Sequence, residues 1–197
     1  MKKMLKLSSV LTIVAMMISG VSNAQHVNIG VKGGLNFYNI DTENSSLYDT
    51  KTGIHFGLLG HIHLVRSMAL QPELVYSSQG AKYNASGTNN KLNLGYINLP
   101  VMLQYMFDNG FRLEAGPQLG FLINAKSEGN PQSVDVKDNF KKIDFAVGLG
   151  AGYIKPSTGL GFGLRYNAGL SNINENNSVN STNNGFQLSL FYQFDHK

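Results

Sequence analysis

Charged residues recur on one parity of several alternating segments, and their side chains could do chemistry. Six of them, of both signs, are Lys32, Glu73, Arg112, Glu114, Asp144 and Arg165. Opposite charges inside a protein form ion pairs, whereas charges at membrane depth often mark an ion or proton path. Structural pairing inside a narrow interior is the interpretation that we favour, and a conduction path is the alternative.

Three histidines, His55, His61 and His63, share this polar parity. His61 and His63 are two positions apart, so in a strand their side chains point the same way, about 7 Å from each other. Structural metal sites usually have four ligands and often include thiolates, but the chain has no cysteine. We therefore predict neither a metal site nor a cofactor.

Two further patterns resemble functional motifs but lack features that those motifs need. The glycine run at residues 148–152 resembles a phosphate-binding loop, but it lacks the lysine and the following helix that such loops use. Serine, histidine and aspartate are all present, yet no nucleophile elbow brings them together. The sequence predicts no catalytic site, and we expect that the protein is not an enzyme.

The elements that carry these residues alternate with a period of two, which is typical of β-strands with two different faces. In the first segment, Val27, Ile29 and Val31 alternate with Asn28 and Lys32. Eight strands are predicted, at about residues 27–39, 52–66, 68–79, 92–107, 111–124, 143–154, 159–170 and 185–194. An even number of such strands predicts an all-β fold, an eight-stranded antiparallel transmembrane β-barrel with an up-and-down meander.

The predicted connections alternate between short and long. Residues 66–67, 107–110 and 155–158 form short turns. The other four connections, residues 39–51, 80–91, 125–142 and 171–184, are rich in Asn, Ser, Asp, Lys and Gly, which favour solvated loops. Outer-membrane barrels have short periplasmic turns and long external loops, so we expect both termini on the periplasmic side.

Aromatic residues on the apolar parity fall near the two ends of the predicted strands. The set near the short turns is Tyr105, Phe107, Phe111, Tyr153, Tyr192 and Phe194. The set toward the long loops is Phe37, Phe56, Tyr76, Phe121, Phe145 and Phe186. These positions predict two aromatic girdles at the membrane interfaces, although aromatic residues also favour strands in general.

The first 24 residues differ from the rest. Three lysines precede an apolar run of about 15 residues, shorter than the roughly 20 that a spanning helix needs. Small residues follow, which predicts a signal peptide at residues 1–24, cleavage between Ala24 and Gln25, and a barrel domain at residues 25–197. Without the leader, 13 basic residues stand against 12 acidic ones, which does not favour nucleic-acid binding.

Three prolines, Pro72, Pro100 and Pro117, lie inside predicted strands. Proline lacks the N–H donor that a strand interior uses, so we expect local bulges at these positions. The apolar parity also becomes ambiguous between Leu94 and Ile97. This ambiguity predicts a bulge near Gly95 or Tyr96 that resets the register.

Several strings in the predicted strands resemble a known family. They are residues 30–36 (GVKGGLN), 70–80 (LQPELVYSSQG), 96–100 (YINLP), 116–120 (GPQLG), 144–152 (DFAVGLGAG) and 164–170 (LRYNAGL). They look like the PorT-like outer-membrane β-barrel family of Bacteroidetes, and the size is similar to that of small OmpA-like barrels. The resemblance implies a barrel in the outer membrane, and the namesake of the family assists a protein-secretion and gliding machinery.

Three functions remain open from the sequence. The first is a non-enzymatic outer-membrane protein with a structural or surface-binding role, and the second is an accessory component of a secretion or envelope-assembly machinery. The third is a soluble periplasmic carrier of lipocalin type, in which the apolar residues would face inward. The expected partners are outer-membrane lipid, the barrel-insertion machinery during biogenesis, and a surface or secretion-machinery protein; no nucleic acid is expected.

Overall fold

The computed structural model describes residues 27–42, 48–85, 88–129, 133–176 and 179–194. The predicted leader and its cleavage position between Ala24 and Gln25 lie outside the described residues and stay predictions. No helix in the described part of the chain is both long and apolar enough to cross a membrane.

The described chain consists almost entirely of β-strands. They are β1 (Val27–Thr42), β2 (Tyr48–Val65), β3 (Met68–Ala85), β4 (Thr88–Met106), β5 (Phe111–Glu128), β6 (Ser133–Asp135), β7 (Ile143–Ile154), β8 (Leu160–Gly169) and β9 (Ser181–Gln193). One turn of 3₁₀ helix, Lys137–Asn139, lies between β6 and β7.

Eight of these strands form a closed ring. Each pairs antiparallel with its neighbours in the order β1, β2, β3, β4, β5, β7, β8 and β9. The ring closes between β1 and β9, from Gly30 opposite Gln193 to Thr42 opposite Ser181. The predicted eight-stranded antiparallel meander is therefore confirmed. The short strand β6, which was not predicted, pairs with the end of β5 outside the ring.

The two parities of each strand point to opposite sides of the barrel wall. In β1, Asn28, Lys32 and Asn36 are buried, whereas Val27 and Ile29 are exposed on the outside. The other strands follow the same rule along most of their length. A lipocalin-type carrier needs apolar residues on the inside, so this arrangement does not support that alternative.

The strands on the long-loop side run further than predicted. β3 reaches Ala85 and β4 starts at Thr88, with pairs continuing to the last residues of both strands. β1 likewise reaches Thr42, and β5 reaches Glu128. The prediction of long loops at residues 39–51 and 80–91 is therefore wrong. The polar composition of these segments is typical of loops, but it is also compatible with strands that extend into water.

The prolines interrupt the pairing without changing its register. Pro72 lies in a two-residue gap in the pairing of β3 with β2, Pro100 in a gap between β4 and β3, and Pro117 in a gap between β5 and β4. Pairing resumes in the same register beyond each gap, so the predicted bulges at the prolines are wrong. A missing N–H donor removes a hydrogen bond, but it does not require an additional residue.

The register does shift at the other predicted position. Gly95 lies opposite Asn124 and Tyr96 lies opposite Leu122, so Ile123 of β5 is the additional residue. This confirms the predicted bulge near Gly95 and Tyr96. The bulge also changes the face of Asn124: strict alternation along β5 would place it on the same side as the buried Leu122, but Asn124 is exposed on the outer side.

Two adjacent glycines in β1 test how tightly the wall is packed. A Cβ atom on Gly34 would lie 1.9 Å from the Leu188 carbonyl oxygen, whereas one on Gly33 would find its nearest neighbour, the His55 carbonyl oxygen, at 3.5 Å. We expect Gly34→Ala to lower the free energy of unfolding by about 1–3 kcal/mol because β9 must move. Gly33→Ala is the matched control and should unfold like the native protein.

Urea unfolding of both variants in the same detergent measures this difference. Equal stability of the two variants would contradict the close approach of β1 and β9 at Gly34.

Candidate functional site

Four of the six predicted inward charges form one buried ion-pair network. Arg165 binds both carboxylate oxygens of Glu73, with N–O distances of 2.7 and 3.1 Å, and its Nε lies 2.6 Å from Glu114 Oε1. Lys32 Nζ lies 3.0 Å from Glu73 Oε2. The side chains of Lys32, Glu73 and Arg165 are at most 6% exposed. The structure thus brings residues of β1, β3, β5 and β8 together across the barrel.

Glutamine side chains donate further hydrogen bonds to the carboxylates of the network. Gln71 Nε2 donates to Glu73 Oε1 at 2.8 Å, and Gln104 Nε2 donates to Glu114 Oε2 at 2.9 Å. Arg112 joins the network through Gln104 Oε1 at 3.4 Å. Hydrogen bonds of this kind are what a buried carboxylate needs to remain charged.

Arg112 also lies over an aromatic ring, that of Phe191, at 5.6 Å from its centroid. Sequence reasoning missed Phe191, an apolar residue on the inner parity of β9. The alternation of the strand indicates its position, because Phe191 lies between Leu190 and Tyr192, which are both exposed.

Asp144, the sixth predicted charge, lies apart from the network. Its Oδ1 accepts a hydrogen bond from the Ser171 hydroxyl at 2.6 Å, and the same hydroxyl accepts one from the Phe145 N–H at 2.8 Å. Asp144 therefore anchors the segment after β8 to the start of β7. Its role in the structure is to stabilise the connection between β8 and β9.

The space left around the network is small. The cavity beside Lys32, Arg112 and Arg165 has a volume of about 20 Å³, enough for about one water molecule. An eight-stranded barrel is only wide enough for side chains to fill it, and these side chains do so.

The interior changes character toward the long-loop side. Eight residues there pack into an apolar cluster, namely Ile40, Ala81, Leu92, Leu94, Tyr96, Leu122, Ala125 and Ile173. Tyr48, Tyr83, Val136 and Phe140 pack against it. We refer to these twelve residues as the apolar plug. Sequence reasoning missed the plug, although Leu92, Leu94 and Tyr96 share one parity with the polar inner residues of β4.

The three histidines make hydrogen bonds or ring contacts with neighbouring side chains. The two ring nitrogens of His55 each lie 2.8 Å from a partner, Asn36 Oδ1 and Ser189 Oγ. The rings of His61 and His63 meet edge to face, with centroids 4.6 Å apart, as their shared parity predicts. Within the described ranges, no three His, Asp or Glu side chains are grouped in a way that could hold a metal ion.

The aromatic residues predicted near the short turns lie close together on the outer surface. Tyr105 packs against Phe107 at 5.0 Å, Phe107 against Phe111 at 5.7 Å, and Tyr192 against Phe194 at 5.2 Å between ring centroids. Sequence reasoning missed Phe162, which is exposed beside Tyr153 at 5.9 Å.

The second aromatic set lies further along the strands. Phe56 packs against Tyr76 at 5.2 Å, and Phe186 packs against Tyr166, which was missed, at 4.8 Å. Phe37, Phe121 and Phe145 complete this set. The two sets are separated by ten residues along β5, from Phe111 to Phe121, and by eight along β7, from Phe145 to Tyr153, close to the length that a tilted strand needs to cross a bilayer. Their role as membrane girdles stays a prediction.

β2, β3, β4 and β5 continue beyond the second aromatic set. β3 runs from Tyr76 to Ala85, and β4 runs back from Thr88 to Ile97. β7 begins only two residues before Phe145. One side of the barrel therefore carries a sheet that projects past the second aromatic set. We refer to residues 48–55, 77–85, 88–96 and 122–128 as the projecting sheet.

A closed meander of eight strands, polar and filled inside and apolar outside, defines the class of small outer-membrane β-barrels. The family model described as "Outer membrane protein beta-barrel domain" matches residues 23–175. The chain belongs to this family and is an outer-membrane protein.

Solved structures of similar fold support the assignment. Neisserial surface protein A (NspA) is 15% identical, with a TM-score of 0.56, and the alignment covers 86% of this chain and 99% of NspA. Ail, the attachment invasion locus protein of Yersinia pestis, is 13% identical, with a TM-score of 0.51, and the alignment covers 85% of this chain and 98% of Ail. No curated protein matches the chain. At these identities the similarity shows the fold.

The ion-pair network can be tested by removing its central cation. Arg165→Met leaves Glu73 and Glu114 without their main partner, and breaking a buried pair from one side costs roughly 3–5 kcal/mol. We expect a large loss of unfolding free energy, measured by urea titration in detergent.

The matched control is the pair Arg66–Asp108, whose N–O distance is 3.6 Å and whose side chains are both 91% exposed. Arg66→Met should leave stability unchanged, because exposed pairs contribute little. A native-like Arg165→Met variant would show that the network does not stabilise the barrel.

Proposed function

We propose that the protein is a closed, non-enzymatic barrel whose function resides on its outer surface. Among the described residues, the interior leaves no open path for ions along the barrel axis. The ion-pair network fills the membrane-spanning part, and the apolar plug fills the part above it. The projecting sheet, by contrast, offers a rigid surface to the surroundings. Binding sites on rigid scaffolds commonly lie on such exposed parts.

The filled interior is the observation that carries this proposal. A diffusion pore needs a continuous water-filled path, and porins obtain it with about 16–18 strands. Here the cavity at the network holds about 20 Å³. A path for single protons would need a chain of titratable groups through the plug, but seven of its eight core members are aliphatic and only Tyr96 carries a titratable group.

Conductance tests the closed interior. The full chain reconstituted in a planar lipid bilayer should add no stepwise conductance to the empty membrane, because neither the network nor the plug leaves room for hydrated ions. A sixteen-stranded porin inserted in the same way is the positive control. Stable unitary steps would overturn the proposal and make the conduction path the better interpretation.

The proposal also includes the orientation of the barrel. We place the short turns and both termini on the periplasmic side and the projecting sheet outside, as is usual for bacterial barrels. The chain has no cysteine, so introduced cysteines can be labelled without background.

Labelling of intact cells tests this orientation. A membrane-impermeant maleimide should label Asn84→Cys, an exposed position on the projecting sheet, because that residue would face the medium. Ser157→Cys, in the turn between β7 and β8, should react only after the outer membrane is permeabilised. The reverse pattern would overturn the orientation.

The alternative function is an accessory role in a secretion or envelope-assembly machinery, as in the PorT-like family that the sequence resembles. The projecting sheet, with the exposed short strand β6 at its margin, is the feature that could contact such a machinery. Deletion of the gene distinguishes the two roles. Secreted proteins should fail to reach the surface only if the barrel belongs to the machinery.

A further inference from the structure

A groove lies on the outer side of the projecting sheet. Its volume is about 580 Å³, far larger than that of the cavity inside the barrel. The polar side chains that matter for its chemistry are Lys51, Lys82, Lys91, Asn93, Asn124 and Lys126. No other cluster of the described residues combines this much space with unpaired charge.

The strand register explains why these residues share one face. Lys82 lies opposite Lys91, Asn93 opposite Lys126, and Asn124 opposite Gly95. Directly opposite residues of an antiparallel pair point to the same side of the sheet. The bulge at Ile123 contributes, since it turns Asn124 outward into the groove.

The groove carries excess positive charge. Four lysines line it with one carboxylate, Glu128, which lies opposite Lys91, while Asp49 and Asp135 lie at its margins opposite Lys82 and Lys126. In the described part of the chain, the ion pairs do not include Lys82, Lys91 or Lys126. Lys51 Nζ donates to Ser78 Oγ at 3.2 Å and to the Gln79 carbonyl oxygen at 3.0 Å, and both acceptors are neutral.

Like charges face each other across β3 and β4 in this groove. Lys82 and Lys91 are direct cross-strand partners, an arrangement that destabilises a sheet unless another charge compensates. Their other cross-strand neighbours are Asp49 and Glu128, but among the described residues neither carboxylate forms an ion pair with these lysines. Lys126 lies on the next strand, close to the same face. An anion bound between these ammonium groups would remove the repulsion and gain three charge-assisted contacts.

The lower edge of the groove touches the apolar surface of the barrel. Tyr76 lines the groove, and its ring packs against Phe56. Below this pair, the outer surface exposes Phe56, Leu58 and Leu74, each about half exposed. A ligand whose anionic head occupies the groove would therefore continue, on the same side, along a lipid-facing wall.

We propose that this groove binds the phosphate-bearing headgroup of an outer-leaflet lipid, whose acyl chains lie against the apolar surface below Tyr76. Lys82, Lys91 and Lys126 bind the phosphate, and the amides of Asn93 and Asn124 donate to headgroup oxygens. This inference rests on the proposed orientation of the projecting sheet. It names the ligand class of that surface.

Lipid binding can be measured by native mass spectrometry of the full chain released from detergent. The probes are diphosphorylated lipid A and the same lipid with both phosphates removed. We expect the phosphorylated form to remain bound at much lower concentration. Its affinity should fall as salt rises, because the contacts are charge pairs at a surface.

A pair of matched variants locates the site. Lys91→Gln with Lys126→Gln removes two groove charges, and each charge near an anionic lipid contributes about 1 kcal/mol, so we expect roughly 10- to 30-fold weaker binding of phosphorylated lipid A. Lys142→Gln with Lys155→Gln removes two exposed charges outside the groove. That control should bind like the native protein.

Three results would overturn the inference. They are equal binding of the two lipid forms by the native protein, unchanged affinity in the groove variant, and inorganic phosphate displacing the lipid at equimolar concentration, which would show a site for a free anion. A mobility shift on heating in gels verifies that each variant is folded.

The maleimide labelling separates this inference from the proposed function. If the sheet is labelled from outside but the protein binds both forms of lipid A equally, only the inference is overturned. If the sheet is not labelled from outside, both the inference and the proposed orientation are overturned.

Discussion

The pairing of β1 with β9 is the constraint on which the rest of the structure depends. A bilayer contains no water to satisfy backbone groups, so a sheet can cross it only when every strand has two neighbours. Closure from Gly30 opposite Gln193 to Thr42 opposite Ser181 provides the last neighbour. With eight strands in the ring, the interior can only be as wide as the side chains that fill it. Polar filling and apolar exterior follow from that geometry.

The filling has two parts with different physical roles. Between the two aromatic sets, the buried charges must be paired and hydrogen-bonded, and the network of Arg165, Glu73, Glu114 and Lys32 meets this requirement. Beyond the second aromatic set, the apolar plug stabilises the projecting strands as the core of a soluble protein would. The connection after β8 contributes Ile173 to this plug. A sheet that would otherwise be solvated on both faces thereby gains a buried side.

The sequence was sufficient for the fold class and for separating the two faces of most strands, because a period of two assigns residues to alternate sides until a bulge intervenes, as at Ile123. It could not pair the charges. Lys32 is 41 positions from Glu73, and Arg165 is 92 positions from it. Their contact depends on the stagger of four strands, which alternation does not determine.

Local composition was the weaker guide at the strand ends. Asn, Ser and Lys between residues 80 and 91 favoured a loop, but cross-strand pairing and the plug hold this segment in β3 and β4. The groove was also missed. It exists because the extra residue Ile123 turns Asn124 outward, and because Lys82, Lys91 and Lys126 meet only when β3, β4 and β5 are in register.

The three proline gaps give the barrel wall an uneven stiffness. They follow one another on β3, β4 and β5, so the missing hydrogen bonds lie side by side in one sector of the wall. The opposite sector, formed by β1, β9, β8 and β7, has no such gap in its pairing. Bending is therefore easiest in the sector on which the projecting sheet stands, and the sheet can lean while the opposite wall keeps its shape. Thermal undulation of the surrounding bilayer would be transmitted to the projecting sheet mainly through this compliant sector.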